Sequence, residues 1–188
     1  MIGSQPSQPA RQSGLSLIEV LIAMLVLSFG LLGLAGMQVS ALANTRVAQQ
    51  YTQAAILALN ITDKMRANLE GVRAGNYTLA AGATPADPGT NCGTTACDAA
   101  QLAAWDLAVW YSSIDADASY SNGISNAVAV PRGKASVICV DEPACTDASL
   151  RVITIYWDAN GRADASPGYG CDPDVATDLA CYRVVFAP

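Results

Sequence analysis

The chain has 188 residues, a length that suits one ordinary domain with an appendage and excludes a large multidomain enzyme. Hydrophobic residues make up 52% of it and charged residues only 14%, which excludes a largely disordered chain. The net charge of -6 argues against nucleic acid as a partner. There is no histidine, so the commonest general base and zinc ligand are missing, and we expect neither enzyme activity nor a cofactor.

The first third of the chain begins with a polar segment, residues 1–14, which we interpret as a leader. The composition changes at Leu15, and Glu19 is the only charged residue from there to Met37. As a helix, residues 15–37 would be about 34 Å long, enough to cross the hydrocarbon core of a membrane. A glycine precedes this apolar segment and no small-residue cleavage site follows it promptly, so we expect the segment to be retained.

Glu19 needs an explanation, because an ionised carboxylate within lipid costs roughly 3 kcal/mol or more unless it is paired. One interpretation places it in the headgroup layer, where the start of a helix favours a negative charge. The other pairs it with a cation from protein. Cleavage after Gly14 would create such a cation, an α-amino group four residues before Glu19.

Residues 14–20, GLSLIEV, resemble the processing motif of type IV pilins and pseudopilins. The resemblance implies that a prepilin peptidase cleaves after Gly14 and methylates the new terminal amine of Leu15. It also implies that Glu19 promotes assembly by pairing with the terminus of a neighbouring subunit. The family usually has phenylalanine after the cleavage site, where this chain has Leu15.

Residues 18–38, 57–68 and 181–188 are similar to those of minor pilins. The implied function is to prime assembly of a type IV pilus in a tip complex, supporting twitching motility and adhesion. The implied partners are other minor pilins, the major pilin and a PilY-type tip adhesin. The implied locations are the bacterial inner membrane, with the head in the periplasm, and then the extracellular pilus. A minor pseudopilin of type II secretion is the alternative.

The fold that these features predict is α+β and pilin-like. A long N-terminal helix, residues 15–70, has its transmembrane and fibre segment at 15–37, and a disulfide-containing head follows at 71–188. A stripe of apolar residues at spacings of four and three predicts that the helix continues to about Asn68. The stripe consists of Val47, Tyr51, Ala54, Ala58, Ile61 and Met65. Three glycines, Gly30, Gly33 and Gly36, mark either close helix packing or a place where the helix melts.

In the head, a second helix is predicted at 99–114, with Trp105 and Trp110 in the core. Strands are predicted at 134–140, 150–157 and 182–187, in an antiparallel sheet that rests on the helical stripe. The acidic stretch 158–164 breaks the EF-hand pattern, because Arg162 stands where a ligand is required. The stretch 172–178 could hold calcium only if its loop brought the carboxylates together, so no metal site is assigned.

All six cysteines lie between residues 92 and 181, in the predicted head. They form no C-x-x-C pair, and without histidine a zinc site is disfavoured, so disulfides outside the cytosol are the better interpretation. Six cysteines allow fifteen connectivities, and the short separations favour the one that joins neighbours along the chain. The favoured pairs are Cys92 with Cys97, Cys139 with Cys145 and Cys171 with Cys181.

Overall fold

The computed structural model describes residues 16–121, 123–124, 128–141, 145–159, 161, 168–172, 175 and 178–188. The chain divides into two compact units, Met1–Thr45 and Arg46–Pro188. From here on, the head means the second unit, which includes the C-terminal part of the long helix as well as the predicted head at 71–188. Helix α1, Leu17–Ala67, contributes residues to both units. Gly14 and Leu15, the two residues of the predicted processing site, lie outside the described part.

In the first unit, the described residues form the N-terminal part of α1, and all of them are exposed. Hydroxyl groups within this apolar segment bond back to the helix: Ser28 Oγ donates to the Met24 carbonyl at 2.7 Å and Thr45 Oγ1 to the Ala41 carbonyl at 2.9 Å. Such bonds satisfy polar atoms without leaving the helix. The helix is continuous through its three glycines, so the two interpretations of that segment stay open.

In the second unit, α1 supplies one side of the core. Ala54, Ala58, Ile61 and Met65 are fully buried, as the stripe predicts. The prediction was wrong for Val47 and Tyr51, which remain 41% and 45% exposed. The Tyr51 ring contacts that of Trp157 in a T-shaped arrangement, with ring centroids 4.8 Å apart.

Two further helices follow α1: α2 at Leu69–Arg73 and α3 at Ala99–Ser112. Helix α3 begins with a capping box, in which the Asp98 carboxylate accepts from the Gln101 backbone and the Gln101 side chain accepts from the Asp98 backbone. This local signal explains why the helix starts at Ala99 although glycine- and threonine-rich sequence precedes it.

The two tryptophans of α3 differ in burial. Trp110 is 1% exposed and donates its indole N–H to the Leu57 carbonyl at 2.8 Å, which ties α3 to α1. Trp105 is only partly buried, so its predicted place in the core was half right. The reason is that Trp105 lies on the side of α3 that borders an open groove, together with Asn91 and Val109.

The sheet contains strands β1, Lys134–Cys139, β2, Arg151–Trp157, and β3, Ala180–Phe186. They are antiparallel in the order β1-β2-β3, with Val137 opposite Ile153 and Ile155 opposite Tyr182. A single bridge from Leu79 to Val137 attaches the segment after α2 to the free side of β1. The buried residues of β1 and β2 share one core with those of α1 and α3. The predicted α+β, pilin-like fold is confirmed.

The cysteines form the three short-range disulfides, Cys92–Cys97, Cys139–Cys145 and Cys171–Cys181. The second starts from the end of β1, and the third joins a loop to the second residue of β3. Of the two acidic stretches, residues 160, 162–164, 173–174 and 176–177 lie outside the described part. The described residues contain no group of three carboxylates or thiols able to hold a metal ion.

Candidate assembly site on the N-terminal helix

Glu19 lies in the first turn of α1. Its backbone N–H donates to the Ser16 carbonyl at 3.0 Å, and the Val20 N–H donates to the same oxygen at 3.3 Å. The start of a helix favours a negative charge, because the first N–H groups lack helical acceptors. The carboxylate is exposed and forms no ion pair with any described residue. A cation from another molecule can therefore approach it directly.

The surface around Glu19 is apolar. Among residues 16–45 Glu19 is the only charged side chain. Leu17 is 86% exposed and Phe29 is 67% exposed, and the other large apolar residues of this segment are similarly open. By length and composition, α1 is able to span a membrane, with a mean hydropathy of 2.5 in its most apolar window. So large an apolar surface is stable only in lipid or against other proteins.

The head contains a buried polar network that sequence analysis did not identify. Lys64 Nζ lies 2.7 Å from Asp106 Oδ1, and the Tyr77 hydroxyl donates to Asp106 Oδ2 at 2.7 Å. The Asn68 side-chain amide donates to the Tyr77 hydroxyl at 3.2 Å and to the Ala99 carbonyl at 2.8 Å. Burial, and then the bond to Asp106, raise the pKa of Tyr77 well above its usual range. The network joins α1, α3 and the segment after α2.

A second polar cluster surrounds Asp115, which forms a largely buried ion pair with Lys134. Burial, followed by the charge of Asp115, raises the pKa of Tyr111, and the same two causes raise the pKa of Tyr120 to about 12. Nearby, hydrogen bonds, chiefly from Ser121, lower the pKa of the exposed Asp87 carboxyl. At neutral pH both tyrosines therefore stay protonated, so neither hydroxyl is an activated nucleophile.

Arg151 is the third polar group that sequence analysis missed. It is 4% exposed at the start of β2, and its Nη2 donates to the Val72 carbonyl at 3.1 Å. Its Nη1 has no hydrogen-bond partner among the described residues. An arginine at the start of the apolar run VITIYW was a signal for a buried charge, but the sequence alone does not show that the carbonyl of Val72 lies opposite.

Comparisons with known proteins locate two matches in the chain. Residues 9–35 match the family model of the prokaryotic N-terminal methylation motif. Residues 36–108 match the model of the type IV pilin Tt1218. No curated protein and no solved structure matches the chain.

The two matched segments adjoin and together run through α1, α2 and most of α3. Together with the fold, they support a type IV pilin-like protein and the role of a pilin in a pilus or pseudopilus. The segment that resembles Tt1218 contains both the buried network at Asp106 and the Cys92–Cys97 disulfide. The methylation motif and the apolar helix fit anchoring in the inner membrane and processing by a prepilin peptidase.

Proposed function

We propose that this chain is a minor pilin that primes assembly of a type IV pilus, in a tip complex with other minor pilins and a PilY-type adhesin. Its segments IEVLIAMLVLSFGLLGLAGMQ, LALNITDKMRAN and CYRVVFAP are similar to those of the minor pilin PilV. In this proposal its head lies in the periplasm before assembly and outside the cell afterwards, and twitching motility and adhesion depend on the completed pilus.

The observation that carries the proposal is the single charge in the apolar part of α1. Glu19 lies within the segment that matches the methylation motif, one turn into the helix, and no described cation reaches it. Removing this helix from lipid into a protein fibre requires that the carboxylate meet a positive group, because a bare buried charge is costly. The terminal amine that cleavage after Gly14 exposes on a neighbouring subunit is such a group.

The test is replacement of Glu19 by alanine or glutamine in cells that assemble pili. We expect both variants to be cleaved normally, because the peptide bond after Gly14 is unchanged. The amount of each variant in sheared filaments should fall by at least about tenfold, as expected when a partly buried ion pair is lost. Immunoblots of membranes and of sheared pili measure the two quantities.

Glu70→Ala is the matched control, because Glu70 is an exposed carboxylate on α2 in the head. It should enter filaments at the level of the unmodified protein. Normal incorporation of Glu19→Gln would show that the charge is not needed and would contradict the proposal.

The tip complex is tested separately, by co-purification of the unmodified protein from membranes. We expect a PilY-type protein and pilins to be recovered with it.

A further inference from the structure

A groove in the head is not explained by assembly through α1. It lies wholly within the unit Arg46–Pro188 and has a volume of about 610 Å³. Sites for small molecules typically have volumes of about 300–1,000 Å³. The groove is bordered by α1, by α3, by the segment that contains the Cys92–Cys97 disulfide, and by Gly123 and Ile124. The residues that matter for its chemistry are Ile56, Asn60, Lys64, Trp105 and Val109.

Trp105 gives the groove an aromatic surface. The other two tryptophans are buried at 1% and 0% exposure, and each uses its indole N–H in a hydrogen bond within the head. Trp105 is partly exposed, and its indole N–H has no partner among the described residues. The backbone at Gly93 lies close to one edge of the ring, since a Cβ built there would be 3.9 Å from Cζ2 of Trp105. Trp105 is partly buried, and the exposed part of its side chain borders the groove, with a polar N–H at the ring edge.

The polar groups beside Trp105 are neutral overall. Asn60 is exposed on α1, and its amide makes no hydrogen bond to a described residue. Among the described residues that line the groove, Lys64 is the only charged one, and the Asp106 carboxylate 2.7 Å away balances its charge. Ile56, which is 54% exposed, adds an aliphatic surface on the same side of α1.

We propose that this groove binds a neutral oligosaccharide. A pyranose ring has an apolar C–H face, which suits the face of an indole, and a rim of hydroxyls, which suits free amide and indole N–H donors. The paired charge of Lys64 gives an anionic or cationic ligand no net electrostatic attraction. The head would thereby recognise glycans through a site separate from the assembly helix, whichever filament the protein joins.

The test uses the full-length protein in phosphatidylcholine nanodiscs, because sugar-based detergents would compete for the site. The probes are maltotriose, cellotriose and N,N′,N″-triacetylchitotriose, each titrated calorimetrically to about 10 mM, above the range of weak millimolar binding. We expect at least one to bind and to protect tryptophan fluorescence from acrylamide, since Trp105 is the accessible indole.

Trp105→Ala should weaken binding by about tenfold or more, the size of one good aromatic contact. Asn60→Ala should weaken it by a smaller factor, and because Asn60 is exposed this variant remains informative if Trp105→Ala does not fold. Val185→Ala is the control, since Val185 is an exposed apolar residue on β3, outside the groove. Its affinity should equal that of the unmodified protein.

Three results would overturn the inference. One is that none of the three sugars binds, and another is that binding is unchanged in both groove variants. The third combines two observations on sheared filaments: a photo-crosslinker at position 60 captures a neighbouring subunit, and the filaments no longer bind the sugar. That result would show that the groove is an interface between subunits.

Discussion

At the scale of single residues, the head depends on charges that are buried with their partners. Asp106 is 6% exposed and accepts from Lys64 and Tyr77, so both oxygens of one carboxylate are used. The exposed pair of Arg66 with Asp63, at 2.9 Å, lies on the same helix as Lys64 but has side chains 63% and 72% exposed. Exposed pairs of this kind contribute little to stability, whereas removing one partner of a buried pair is costly.

This contrast gives a prediction for Asp106→Ala. It should lower the free energy of unfolding of the head by about 3 kcal/mol, because the Tyr77 hydroxyl loses its acceptor and Lys64 its counter-ion. Lys64 is 28% exposed on its side chain, so water replaces part of the lost pairing. Asp63→Ala, the matched control, should change the same quantity by less than about 1 kcal/mol. Urea unfolding followed by circular dichroism measures both, and equal effects would contradict the assignment.

At the scale of secondary-structure elements, the end of α3 and the start of β1 approach each other closely at Gly133. A Cβ at this buried position would overlap the backbone oxygen of Ile114 and lie 2.7 Å from Cγ2 of Val130. Neither contact is relieved by turning a long flexible side chain. Glycine at position 133 therefore lets the backbone pass close to Ile114 and Val130 immediately before β1 begins at Lys134.

Gly133→Ala should accordingly destabilise the head by about 2 kcal/mol through overpacking. Gly36→Ala is the control, because nothing lies within 4 Å of a Cβ built there and Gly36 belongs to the other unit. It should leave the unfolding midpoint of the head unchanged. A midpoint for Gly133→Ala equal to that of the unmodified protein would show that Ile114 and β1 can move apart without cost.

Most elements were predictable because their signals are local. The periodicity of α1, the apolar run of α3 and the three strands were all placed within one to three residues of their observed ends. The buried contacts were not predictable, because their partners are distant in sequence. Asp106 is 42 residues from Lys64, and Arg151 is 79 residues from Val72. Val47 and Tyr51 continue the stripe, yet the core ends before them, which periodicity does not reveal.

At the scale of the whole molecule, the proposed function links cleavage after Gly14 to retention of the apolar helix. We expect the mature protein to begin at an N-methylated Leu15, and Gly14→Val to retain all fourteen leader residues, because a branched side chain blocks the small-residue position before the cut. Gly3→Val, in the same leader, should be processed normally. Mass spectrometry of the N-terminus distinguishes these products, and a leader present on the unmodified protein in filaments would contradict the proposed maturation.

The sequence by itself determined the apolar segment of the long helix with its one acidic residue, Glu19, the α+β class and the candidate disulfides. These depend on composition and on spacing along the chain, which act locally. Only the tertiary structure decided which polar groups are buried together, that the core begins at Ala54, and that Trp105 borders a groove while Trp110 is enclosed. The physical reason is that burial is a property of all the elements packed around a residue, and the spacing on one element does not specify what the others leave uncovered.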